Sequence, residues 1–93
     1  MFDLSPRQQD VLEFFLAHVD QQGLSPSHRE IGEALGITST NAVHDHLERL
    51  IAKGYLRRVG QPKSPRSFVV TAQARQYAAV TTMAVAVYAA KGR

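Results

Sequence analysis

Apolar side chains recur along this chain at helical and then at strand-like spacing. Val11, Leu12, Phe15, Leu16 and Val19 repeat every three or four residues, so the spacing predicts a first helix with one buried stripe. Its start is written in Ser5-Pro6-Arg7-Gln8: Ser5 caps, Pro6 suits the first helical position, and Gln8 closes a capping box. Gly23 ends it, and Leu24-Ser25-Pro26 connects to a second start, where Ser27 and Glu30 form another capping box. Ile31, Ala34 and Leu35 are expected to face inward, and Gly36 stops this short helix. Ile37 is expected to plug the core from within the turn. A third helix begins after Thr38 or Ser39 and runs to Lys53, with Val43, Leu47, Leu50 and Ile51 on its buried face and Gly54 as its stop.

Beyond Gly54 the period changes. Tyr55 to Val59 and Phe68 to Thr71 are β-prone runs flanking Gly60-Gln61-Pro62-Lys63-Ser64-Pro65-Arg66-Ser67, a polar loop stiffened by two prolines. The pattern is that of a hairpin with an extended loop, a wing. From Thr71 helical spacing returns in an alanine-rich run, and Tyr77, Val80, Thr81, Ala84, Val87 and Tyr88 share one face. A helix this apolar needs a partner surface. The expected architecture is mainly α with a small β-hairpin. Residues 1–70 are expected to form a winged helix-turn-helix domain, and 71–93 a C-terminal apolar helix that dimerises, against the alternative that it only closes its own domain's core.

Composition narrows the class. Ninety-three residues make one small domain, and with no cysteine its core rests on apolar packing alone. No signal peptide opens the chain, and the longest apolar run, Met83 to Ala90, is far short of the ~20 residues that span a bilayer, so a cytosolic, nucleoid-associated protein of bacterial or phage type is expected. The net charge of +3 divides unevenly. Up to Ala52 eight acids face three arginines, a balance of −5; from Lys53 onward eight bases meet no acid, a balance of +8. Such asymmetry points to a polyanionic partner for the second half.

A short helix, a glycine-centred turn and a second helix within Ser25–Gly54 match a helix-turn-helix, which offers its second helix to the DNA major groove. At 100° per residue, Asn41, Asp45 and Glu48 point away from the core stripe and His44 flanks it, while Ser39 and Thr40 open the helix. Asn bonds adenine N6 and N7 together, Asp or Glu accepts from cytosine N4, and His44 has donors for guanine or phosphate. Lys63 and Arg66 at the wing tip, Lys53, Arg57 and Arg58 at its base, and Arg7 near a helix start are the expected backbone contacts. Arg29 is expected to pair with Glu33 one turn on.

The residues that carry these signals also resemble a known family, the DNA-binding domain of the LexA repressors. The matching stretches are Leu4-Ser5-Pro6-Arg7-Gln8-Gln9-Asp10-Val11, Gly23-Leu24-Ser25-Pro26, Glu30-Ile31, Leu35-Gly36-Ile37, Ser39-Thr40-Asn41-Ala42, His46-Leu47, Leu50 and Lys53-Gly54. The resemblance implies a winged helix-turn-helix that binds double-stranded operator DNA as a homodimer and usually represses. It implies base contacts at Ser39, Asn41, Ala42, His44 and Asp45, and here His44 and Asp45 stand where glutamates are common, so an altered half-site is expected. LexA repressors continue into a Ser/Lys self-cleaving, dimerising domain. The residues after Thr71 match neither the cleavage site nor the protease, so self-cleavage is not expected of this chain and the apolar tail is the expected substitute for dimerisation.

Other chemistries find little support. His44 and His46 project about 200° apart on a helix, and His18 and His28 have no i+3 or i+4 partner completing a zinc set, so no metal is expected. No nucleophile–base pair or phosphate-cradling loop stands out, and no enzyme, cofactor, small-molecule ligand or membrane partner is expected. The alternative of another class is a winged-helix module that binds a protein through the tail helix.

Overall fold

The computed structural model describes residues 3–60 and 68–80. The wing loop 61–67, with Lys63 and Arg66, and the tail 81–93, with Thr81, Ala84, Val87 and Tyr88, lie outside the described residues. The element order is α1 (Pro6–Gln22), α2 (His28–Leu35), α3 (Thr40–Ala52), β1 (Leu56–Arg58), β2 (Phe68–Val70) and α4 (Ala72–Val80).

Each of the first three helices starts at the cap its sequence carries. Ser5 Oγ accepts from the Gln8 amide at 3.2 Å while Gln8 Oε1 accepts from the Ser5 amide at 3.1 Å, satisfying two donors the helix leaves unpaired. Ser27 and Glu30 repeat the arrangement at 3.2 and 2.8 Å. Ser39 caps α3 by accepting from the Ala42 amide at 3.3 Å. Gly36 closes α2 in the left-handed region at φ 70°, a conformation with no steric cost only for glycine, and the chain turns at once so that the Ile37 amide donates to the Gly32 carbonyl at 2.9 Å.

The core is built where the helical stripes meet. Val11, Leu12, Phe15 and Leu16 of α1, Ile31 of α2, and Val43, Leu47 and Leu50 of α3 are buried together. Val19, Leu35, Ile37 and Ile51 pack half-buried at its margin. Ala34, expected to face inward, is exposed, because an eight-residue helix docked through Ile31 and Gly32 has no breadth for a second buried row. The hairpin is antiparallel, with Leu56 opposite Val70, Arg57 opposite Val69 and Arg58 opposite Phe68. Leu56 and Phe68 turn into the core and Arg57 outward, the two-residue alternation of a half-buried strand.

The turn from α3 into β1 is roped to the turn from β2 into α4. Thr71 Oγ1 donates to the Gly54 carbonyl at 2.6 Å and accepts from the Ala74 amide at 3.3 Å, so one hydroxyl serves the turn and caps α4. Gln73 Nε2 donates to the Lys53 carbonyl at 3.0 Å. Ala74 and Tyr77 sit in the same core as the helix-turn-helix, and the Tyr77 hydroxyl donates to Glu13 Oε2 on α1 at 2.5 Å. The helical period alone assigns Tyr77 to a dimerising face. At 2 % exposure it is instead spent on its own domain, because α4 lies back across α1 and the phenol reaches a carboxylate there.

Candidate DNA interface

Helix α3 divides along its length. Val43, Leu47 and Leu50 are at most 1 % exposed, whereas Ser39, Thr40, Asn41, His44 and Asp45 all lie open to solvent and Ala42 is half-buried. A three-residue capped entry brings this face to the surface at its N-terminal end, the end that recognition helices present to base edges. An open cleft of about 500 Å³ lined by His28, Thr40, Asn41 and His44 lies along it. A second, of about 450 Å³, runs between α2 and α3 past Arg29, Gly32 and Ile37.

Two acids on this face invite the objection that a polyanion would repel them. Local pairing answers it. Asp45 Oδ2 accepts from Arg49 Nε at 3.0 Å one turn on, and Glu48 Oε2 accepts from the Arg58 guanidinium and lies 3.7 Å from His44 Nε2. Surface pairs of this kind, the Asp45–Arg49 pair exposed and the Glu48–Arg58 pair half-buried, add little stability, ~0–1 kcal/mol each. Their effect is on the field: each carboxylate is matched by a cation before any phosphate arrives.

The expected basic contacts separate into distinct groups. Arg7 donates to the Leu35 carbonyl at 2.7 Å and pairs with Asp10 at 3.4 Å, so it ties α1 to the C-terminal end of α2. Lys53 Nζ donates to the Asp3 carbonyl at 2.5 Å and to Gln8 Oε1 at 2.8 Å. Arg58 is held by Glu48 and lies 5.2 Å from the centroid of the Phe68 ring, a cation–π contact. Charge and position alone assign these three to DNA. Each also satisfies a group of its own fold, because long cationic side chains find carbonyls and carboxylates wherever helices end nearby. Arg57 is exposed.

Sequence reasoning passes over His28. It is the first residue of α2, and its ring packs between His44 of α3 and Phe68 of β2, 5.9 Å from each by centroids. Burial holds its pKa below the usual 6.5, aided by the neighbouring positive potential of His44 and Arg58, so the ring is neutral at pH 7. Its Nε2 is buried without a hydrogen-bond partner among the described residues. No signal in the one-dimensional pattern marks it, since Phe68 and His44 reach it only through tertiary folding. Among the described residues no group of three or more His, Cys, Asp or Glu side chains is placed to hold a metal. None of the described helices is long and apolar enough to cross a membrane.

An exposed second helix, a tight glycine turn before it and a two-stranded basic hairpin beside it define a winged helix-turn-helix DNA-binding domain. Residues 1–67 match the family described as the LexA DNA binding domain, and the chain belongs to that family. The LexA repressor of Bacillus cytotoxicus is 45 % identical over 75 residues, covering 81 % of this chain and 35 % of that protein. That of Geobacillus thermodenitrificans is 50 % identical over 70 residues, covering 75 % and 33 %. The chain therefore spans about a third of the length of these relatives.

Proposed function

We propose that this chain is the operator-reading part of a transcriptional repressor that binds double-stranded DNA as a homodimer in a bacterial or phage-infected cytosol. The observation that carries the reading is the division of α3, whose core stripe is sealed while Ser39, Thr40, Asn41, His44 and Asp45 stand open to solvent beside the hairpin. Asn41 supplies a bidentate donor–acceptor pair for adenine, and a contact of that kind discriminates by ~1–3 kcal/mol. His44 offers a donor to guanine, and Asp45, steadied by Arg49, an acceptor for cytosine N4. Ser39 and Ala42 complete the approach, the first through its hydroxyl and the second through its small size.

Arg57 with Lys63 and Arg66 of the wing supply the counterion-releasing phosphate contacts. Arg7, Lys53 and Arg58, each anchored by a bond within the fold and each with an N–H donor to spare, join them. Dimerisation runs through the outer face that begins at Val80, 65 % exposed, and continues in the sequence as Thr81, Ala84, Val87 and Tyr88 at helical spacing. A two-fold dimer reads half-sites about one helical turn apart.

Binding selection from random duplexes, followed by anisotropy titration of the selected duplex at two salt concentrations, tests the proposal. A palindromic site bound with a steep negative salt dependence supports it. Salt-independent binding, or none at low salt, would return the chain to the class of protein-docking modules.

A further inference from the structure

Five side chains from four elements close into a ring beside the reading face. The His28 ring lies 5.9 Å from the His44 ring at an interplanar angle of 34°, and 5.9 Å from Phe68 edge-on at 79°. Phe68 carries the Arg58 guanidinium 5.2 Å from its centroid, Arg58 donates to Glu48, and the same Glu48 oxygen lies 3.7 Å from His44 Nε2. On the outer side of the ring is the cleft lined by His28, Thr40, Asn41 and His44.

We propose that His28 is the positioning residue for His44: its ring backs the inner side of His44, sets the direction in which His44 offers a nitrogen to a base pair, and couples that direction through Phe68 to the root of the wing. The proposal rests on the reading of α3 given above.

The physical need is plain. His44 is 55 % exposed, and an exposed ring moves among staggered rotamers on the nanosecond scale. A hydrogen bond that chooses between bases works only within a few tenths of an ångström of ~2.9 Å and near linearity. An unbacked His44 would still bring its ring to the groove and would lose the choice of base. The mark of a positioning role is thus lost discrimination with retained general affinity. A phosphate contact would do the reverse.

Charge makes the backing conditional. The groups facing His28 are His44 from α3, Arg58 from β1 and the apolar Phe68 from β2, with Glu48 one step further out against both His44 and Arg58 and exposed Arg29 next to His28 on α2. A neutral His28 packs on His44 without repulsion. Once protonated it adds a cation against His44 and Arg58, loosening the contact while strengthening the general attraction for DNA. Base discrimination is therefore expected to fall, and non-specific affinity to rise, as the pH drops through the folded His28 midpoint, which lies below 6.5.

His28→Ala, His28→Phe and His44→Ala test this against duplexes varied at the base pair whose preference His44→Ala erases, between pH 5 and pH 8, with melting temperature as the folding control. His28→Ala is expected to cut discrimination there about fivefold to tenfold, within the range of a single base contact, and to leave random-duplex affinity within about twofold. His28→Phe, which keeps a ring that cannot charge, is expected to restore discrimination and flatten its pH dependence. In the free protein, His28→Ala is expected to shift the His44 ring resonances, and His44→Gln to raise the His28 titration midpoint. An equal loss on all duplexes would make His28 a phosphate contact and overturn the proposal, as would unchanged discrimination or a failed rescue by Phe. If His44→Ala altered no base preference, the reading of α3 would be at fault at that position. The ring resonances then decide the pairing alone, and their indifference to His28→Ala would overturn it.

Discussion

Replacing Tyr77 by Phe isolates the bond that fastens α4 to the domain. The hydroxyl donates to Glu13 Oε2 at 2.5 Å, and the ring, 2 % exposed, meets Tyr55 edge-on at 6.3 Å. Phenylalanine keeps the ring contact and deletes only the donor. Hydrogen bonds to charged groups contribute ~1.5–3 kcal/mol net. Glu13 is half-buried and regains water when its partner goes, which favours the lower end, about 1.5 kcal/mol. For a domain of this size each kcal/mol moves the melting temperature by roughly 4–8 °C, so a fall of about 6–12 °C is expected. Urea denaturation of Tyr77→Phe, Glu13→Ala and the double variant, at two protein concentrations, gives the coupling directly. A coupling of about 1 kcal/mol, independent of concentration, is expected of a bond within one chain. Additive effects would mean that the two side chains share no bond, and a loss that grows on dilution would return Tyr77 to a subunit interface.

Further outcomes follow from the same geometry. Asn41→Ala is expected to relax sequence preference by ~1–3 kcal/mol at one base pair while leaving random-duplex affinity nearly intact, as anisotropy on single-base variants will measure. Lys63→Ala is expected to weaken all duplexes about equally and to lower the salt slope by ~1, as when a single phosphate is no longer neutralised. Because folding depresses the His28 pKa from 6.5, the unfolded chain takes up its proton first. Stability is then fullest above pH 6.5 and declines as pH falls through that value toward the folded midpoint; His28→Phe is expected to narrow the gap between urea midpoints at pH 7.5 and 5.5. Gly54→Ala combines a left-handed φ of 89° with a methyl carbon 2.8 Å from Gln73 Oε1, and a loss of ~1–2 kcal/mol in thermal unfolding is expected.

Much of the fold is local, and local features are legible one-dimensionally. Ser5, Ser27 and Ser39 start helices because a side-chain oxygen meets an amide only three residues away, and Gly36 stops one because its own backbone tolerates positive φ. The exposed face of α3 follows from the same helical period that buries Val43, Leu47 and Leu50. The fates of the cations are not local. Lys53 finds Gln8 across 45 positions and Arg7 finds Leu35 across 28, separations at which no periodicity speaks.

The same boundary separates the features dictated by residue order alone from those that wait on long-range packing. Helix starts and stops, the turn and the outward set on α3 depend on neighbours within one or two turns, and the hairpin on two strand-like runs either side of a single loop, so the order of residues suffices to state them. That Tyr77 closes its own core, that Arg58 neutralises Glu48, and that His28 packs on His44 depend on how the four helices and the hairpin converge. Only packing sets those distances, because side chains with the same intrinsic preferences take whichever partner the assembled helices bring within a hydrogen bond's reach.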